Sequence, residues 1–335
     1  MNWLIGPIPL WAQLKHPILN YQLRDITRAT RPRLALRLIL VVLIALTLGA
    51  GSYLVASQNG RESIGQPNSE WVNTVVFFPL LGLQMFVSVV ALAFTIGVVN
   101  GQEQRQTWDT LRASGNGVAI ILRAAWASVF YRLREWLAIL LAVRLILVGL
   151  VLFDLTSFEG TYLDWLTGGI VPLIPQTWAG IPLATLVGSL LVTLHLVALL
   201  VLPFTAVGFE AALGLWLSTW FRQRIYSVIV FMILLLAQVA LILFLYGQFS
   251  AIALQGLTVG EIPYTAPQAW GVLFGFFALA DWGVKFSFLT FAGEMWALIP
   301  YSILIGPALL IFAILQGAAA DGLLRLAVRR AERHG

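Results

Sequence analysis

Apolar residues in this chain fall in long unbroken runs, not at the spacing of a half-buried helix or strand. The runs cover residues 34–56, 75–99, 136–153, 190–220, 225–245 and 297–319. A bilayer-crossing helix needs roughly 20 apolar residues, so the pattern predicts an all-α polytopic membrane protein with six transmembrane helices. Arg37 stands near the start of the first run and Arg144 inside the third. The fourth run is the end of a longer apolar stretch, 181–220. As one helix rising about 1.5 Å per residue that stretch would reach roughly 60 Å, twice the hydrocarbon thickness. It is therefore expected to hold one span and an interfacial or broken outer segment, with a kink at Pro203.

The connections carry their own patterns. Before the first run, Leu19, Leu23 and Ile26 share one helical face while Arg24, Arg28 and Arg31 share another. Pro17 suits the first turn of such a helix and Pro32 ends it. Residues 1–33 thus read as an N-terminal segment with an interfacial elbow helix held by anionic lipid, or as a plain topology anchor. Residues 100–134 form the longest connection on the same side. Glu103 to Arg112 can make three helical turns with Trp108 and Leu111 adjacent on one face. Ser114, Gly115, Asn116 and Gly117 break that helix before a second amphipathic stretch, 118–134. Such a loop is either a docking knob for another protein or a connection resting on the headgroups. On the opposite side, 247–295 contains two apolar segments, 269–280 and 286–292, each too short to span. They are expected to be re-entrant or interfacial helices. With no internal repeat and no separate soluble domain, residues 1–335 read as a single transmembrane domain.

Composition agrees and adds orientation. The chain is 60% hydrophobic and 10% charged, where soluble domains carry about 25% charged residues. Its net charge of +5 could suggest nucleic acid, but the charges are sorted by side of the membrane. Seventeen Lys and Arg fall on the side of the termini and of the 100–134 loop. The other side has only Arg61 and Lys285, against eight acids. By the positive-inside rule both termini are cytoplasmic, in a cell's inner (plasma) membrane. The basic excess then reflects topology and attraction to the leaflet, and no nucleic-acid partner is expected. Residues Met1 to His16 lack the basic start and apolar core of a cleaved signal peptide.

The chemistry of sites narrows the function further. With no cysteine, disulfides, thiolate metal sites and a Cys nucleophile are excluded. No Gly-x-x-x-x-Gly-Lys-Ser/Thr loop occurs, so the chain is not itself a P-loop ATPase. His16, His195 and His334 stand far apart and no Gly-x-Ser-x-Gly elbow is present. No catalytic residue, metal site or bound cofactor is expected, and an enzyme acting alone is not. His195 reads as a packing or hydrogen-bonding residue. Two charges remain inside the runs, where an ionisable group costs about 2.5–3.5 kcal/mol on insertion scales. Arg144 lies roughly 12 Å beyond Trp136, and Glu210 roughly 15 Å before the end near Trp220. The matching depths predict an Arg144–Glu210 ion pair joining the third and fourth spans. The alternative for Arg144 is snorkelling to the headgroups.

Several segments, in order, resemble an ABC transporter permease (transmembrane subunit) of the type-2 exporter class. They are His16-Pro17-Ile18-Leu19 before the first span, and Glu103, Arg105, Thr107, Trp108, Asp109 and Leu111 after the second. Leu213-Gly214-Leu215, Ser218 and Arg222 close the fourth. The chain departs from the family at Gln106, where Gly is common, and at Ala113-Ser114-Gly115, where a Thr-Pro pair is common. The resemblance implies that Glu103, Arg105, Thr107, Trp108, Asp109 and Leu111 form the coupling helix that docks on a separate nucleotide-binding subunit. It also implies a second permease, as homodimer or heterodimer, and ATP with Mg held by the partner ATPase. A hydrophobic or amphipathic substrate would leave outward along a path lined by the second and fifth spans. Gln84, Ser88, Thr95 and Gln238 are candidates for that path, or for interhelical hydrogen bonds. The rival reading is a non-transporting membrane scaffold or assembly subunit of a larger complex.

Overall fold

In a computed structural model the described residues are 68–104, 117–157, 183–221, 223–259, 266–281, 283–287 and 302–334, with Pro9, Pro17, Leu19 and Leu23 as isolated positions. Among them the fold is all helical, with no strand. We number the helices α1 (Asn68–Thr95), α2 (Val98–Gln104), α3 (Gly117–Ser157) and α4 (Leu183–Ser218). They are followed by α5 (Arg224–Val259), α6 (Ala266–Ala280), α7 (Gly283–Phe286) and, after a 3₁₀ turn at Ser302–Leu304, α8 (Ile305–His334).

Five helical segments are long and apolar enough to cross a membrane: Val75–Glu103, Gly117–Phe153, Leu186–Ser218, Ile225–Gln248 and Ser302–Arg333. The chain is a multi-pass membrane protein. These segments contain or overlap the runs expected from residue 75 onward. The run at 34–56 and the elbow helix with Arg24, Arg28 and Arg31 lie outside the described residues.

The helices are longer than the runs that announced them. The amphipathic stretch 118–134 and the third run form one 41-residue helix, α3. The long fourth stretch is also one helix: α4 runs 36 residues and is continuous through Pro203. A kink was expected at that position because proline removes one hydrogen bond of the helical ladder. The carbonyl so freed, that of Leu199 four residues earlier, finds another donor in Arg144. Backbone groups in lipid must be satisfied within the protein, and with this one satisfied the helix continues.

α4 is the central element, packed against α1, α2, α3 and α8, with its longest seam along α8. Lipid tails offer no hydrophobic drive for helices to associate, so close approach of small residues carries much of the packing. On α8 the buried Ala313, Ala320 and Ala327 recur every two turns on one face. From α4, Ala198 is buried in the cluster that holds Ala313, and Ala212 in the cluster that holds Ala320 and Ala327. Gly306 marks a close crossing, since a Cβ there would lie 2.7 Å from His195 Cβ. Gly214 plays the same part between α4 and α1, where a Cβ would meet Thr95 Oγ1. α5 differs from the rest. It leans on α6 and touches α1 little, and it leaves Ile229, Met232, Ile233, Leu236, Leu243 and Phe244 exposed.

Candidate functional site

The largest fully buried side chain among the described residues is a cation. Arg144, on α3, has no solvent exposure. Its Nη1 donates to the Leu199 carbonyl on α4 and its Nη2 donates to Asp281 Oδ2. Asp281 follows α6 directly, at φ 60°. Asp accepts this left-handed conformation better than most residues because its short side chain bonds locally. The turn stops α6 and sends the chain into α7, so the 266–286 segment enters the helical bundle and breaks beside Arg144. One guanidinium thus ties together three elements: α3, the proline-freed carbonyl of α4, and the tip of the α6–α7 turn.

This corrects the pairing expected from depth alone. Arg144 does not pair with Glu210. Its partner is Asp281, a residue that the charge count assigned to the outer connection. Glu210 Oε1 instead accepts a 2.6 Å hydrogen bond from Gln238 Nε2 on α5. The depth argument measured both residues along their own helices, whereas Asp281 reaches the interior on a segment too short to span. Snorkelling of Arg144 is excluded by its complete burial.

Next to the ion pair lies a cavity of about 580 Å³ between α1, α4, α5, α6 and α8. Its polar lining is Gln84 and Ser88 from α1, Glu210 from α4, Gln238 from α5, Asp281 and, from α8, Gln316. Aliphatic residues such as Leu81, Met85 and Leu241, with Phe209 and Phe312, form the rest. Thr205 Oγ1 donates to Gln316 Oε1 at 2.8 Å, which fixes that amide against α4. Gln84 is only 6% exposed and its Oε1 takes no hydrogen bond, nor does Asp281 Oδ1. In a low-dielectric setting buried acceptors of this kind are costly unless something donates to them. The volume lies within the ~300–1,000 Å³ of small-molecule sites. Chemically the arrangement can accept hydrogen bonds and balance one positive charge. Among the described residues no group of three His, Asp or Glu is placed to hold a metal ion.

Of the residues singled out for a transport path, Gln84, Ser88 and Gln238 line this cavity. Thr95 does not. Its hydroxyl folds back onto the Ala91 and Leu92 carbonyls, at 3.0 Å each, beneath Gly214. His195 is structural: its Nε2 lies 3.0 Å from Ser287 Oγ, which donates to the Gly283 carbonyl. Because that hydroxyl proton is spent on Gly283, Nε2 is the donor of the pair. Nearby, Lys285 Nζ stands 4.9 Å from the Phe78 ring centre, while burial pulls its pKa down to about 8.

Of the docking residues, Glu103 is described, half-buried on α2. Arg105, Thr107, Trp108, Asp109 and Leu111 lie outside the described residues. Sequence reasoning missed Asp281 and Gln316. Asp281 had a readable signal: an acid closing an apolar segment too short to span, two residues before Gly283. Gln316 carried the same signal as Gln84 and Gln238, an amide inside an apolar run.

No protein-family model, curated protein or solved structure matches this chain.

Proposed function

We propose that this chain is the membrane-spanning subunit of an ATP-driven exporter of the type-2 ABC class, moving a hydrophobic or amphipathic substrate outward. The observation that carries the proposal is the cavity among five helices, with six polar residues turned into it from the membrane interior. Polar groups at that depth are expensive and mark substrate or ion pathways. A scaffold subunit has no use for them.

Three further points support the reading. Gln84 and Ser88 of the second expected span and Gln238 of the fifth line the cavity together, as the family resemblance implies for a path. α5 leaves an apolar face exposed among the described residues, as a second permease subunit would require. The loop after α2 carries Arg105, Thr107, Trp108, Asp109 and Leu111, the residues proposed with Glu103 to dock on a nucleotide-binding subunit. In this proposal the fold has six spans, an N-terminal elbow helix and cytoplasmic termini in the plasma membrane. ATP and Mg are bound by the partner ATPase, whose closure moves the coupling helix.

The test is to purify the tagged chain from its own cells in mild detergent, identify what accompanies it, and measure ATP hydrolysis. A co-purifying ATPase that is lost or uncoupled by Trp108→Ala or Asp109→Arg is the expected result. A preparation without any ATPase, indifferent to both substitutions, would leave the scaffold reading in its place.

A further inference from the structure

The cavity has an imbalance that names its ligand. Asp281 is neutralised by Arg144, whose Nη1 and Nη2 donate to the Leu199 carbonyl and to Asp281. Glu210 has only a neutral donor, Gln238. No lysine, arginine or histidine is among the residues lining the cavity. The lining therefore holds one carboxylate with no counter-charge. Independently, it holds two buried acceptors without donors, Gln84 Oε1 and Asp281 Oδ1. Gln84 lies on a different helix from Glu210 and owes nothing to the ion pair. The Gln238 amide goes to Glu210 and the Thr205 hydroxyl goes to Gln316.

A site with surplus acceptors and one surplus negative charge, walled by aliphatic side chains and two phenylalanines, is complementary to a donor cation on an apolar body. We propose that the cavity binds a lipophilic ammonium ion. The protonated amine balances Glu210 and gives an N–H to Gln84 Oε1, while the apolar body lies against Phe209, Phe312 and the aliphatic lining. An anionic amphiphile would face Glu210 without compensation, and a neutral one would leave that charge unpaired. This proposal names the ligand of the site used by the exporter reading and rests on that reading only in calling the ligand cargo.

The experiment is equilibrium binding without any ATPase, so its failure is distinguishable from failure of the exporter reading. The full chain in phosphatidylcholine nanodiscs is titrated with monodansylcadaverine, a fluorescent primary amine on an aromatic body. The control ligand is its N-acetylated form, which has the same body and no charge. Empty nanodiscs correct for partition into lipid. Saturable binding of the amine is expected, weakened at least tenfold by Glu210→Gln and several-fold by Gln84→Leu. Glu210→Asp, which keeps the charge, retains binding and shows that the site is folded. Asp321→Asn, at an exposed ion pair outside the cavity lining, binds as the wild type. Non-saturable binding overturns the proposal. So does equal affinity for the amine in the wild type and Glu210→Gln, or for the amine and its acetylated form.

Discussion

Replacing Arg144 with Met keeps the apolar stem and removes the guanidinium. It strands two acceptors at once. Breaking a buried ion pair by deleting one partner costs about 3–5 kcal/mol. Leaving the Leu199 carbonyl without a donor adds about 1–3 kcal/mol. Measured polar contacts in membrane proteins run smaller, because the membrane-embedded unfolded state also finds partners. We therefore expect a loss near the lower bounds, about 3–4 kcal/mol. A second substitution separates the two parts. Pro203→Ala restores a backbone N–H at the position that normally bonds the Leu199 carbonyl. In the wild type that carbonyl already has Arg144, so Pro203→Ala should change stability by less than about 1 kcal/mol. In the Arg144→Met background the same change should recover about 1–2 kcal/mol. The assay is a double-mutant cycle by SDS titration in mixed micelles, followed by far-ultraviolet circular dichroism. An equal effect of Pro203→Ala in both backgrounds would refute the claim that Arg144 satisfies the proline-freed carbonyl.

Other consequences follow from the same packing. Asp281→Ala should cost about 3 kcal/mol or more, whereas Arg144→Met with Asp281→Ala should cost less than the sum of the single changes; additive losses in the SDS titration would contradict the pairing. Gly306→Ala forces α8 away from His195 and should destabilise by about 1–3 kcal/mol. Gly317→Ala, on the same helix with nothing near its added Cβ, should be neutral or stabilising by up to about 1 kcal/mol, so a similar loss at both sites in thermal melts would rule out the close crossing. For Lys285, burial lowers the folded pKa to about 8 despite the favourable faces of Phe77 and Phe78. Between that value and the ordinary 10.5 the unfolded chain binds more protons, so stability should rise with pH across this window. Lys285→Met should flatten that rise in thermal melts taken from pH 7.5 to 10, and an unchanged profile would exclude Lys285 as its source.

Much of the fold was legible because membrane spans are written as simple length and polarity. The runs from residue 75 onward each became part of a helix. What the runs could not tell was where helices continue past the apolar part. α3 extends back through Arg134, Arg132 and Arg123, and α8 runs on to His334. Charged residues beyond a run end the hydropathy signal without ending the helix. The continuity of α4 through Pro203 was not legible, since nothing local announces that Arg144 supplies the missing donor. The site was half legible. Gln84, Ser88 and Gln238 stood out as polar positions in apolar runs, and they line the cavity. Arg144 and Glu210 stood out too, but pairing them required knowing which helices are neighbours. Asp281 arrives on α6, a segment whose entry into the bundle no depth count along the spans could include.

The most direct test of the account is transport itself. The chain, purified with its co-purifying ATPase, is reconstituted into proteoliposomes, and uptake of monodansylcadaverine is followed with ATP added outside. ATP-dependent accumulation is expected in vesicles whose ATPase faces outward, lost with Glu210→Gln while ATP hydrolysis remains. ATP hydrolysis with no movement of the amine in either variant would contradict the account.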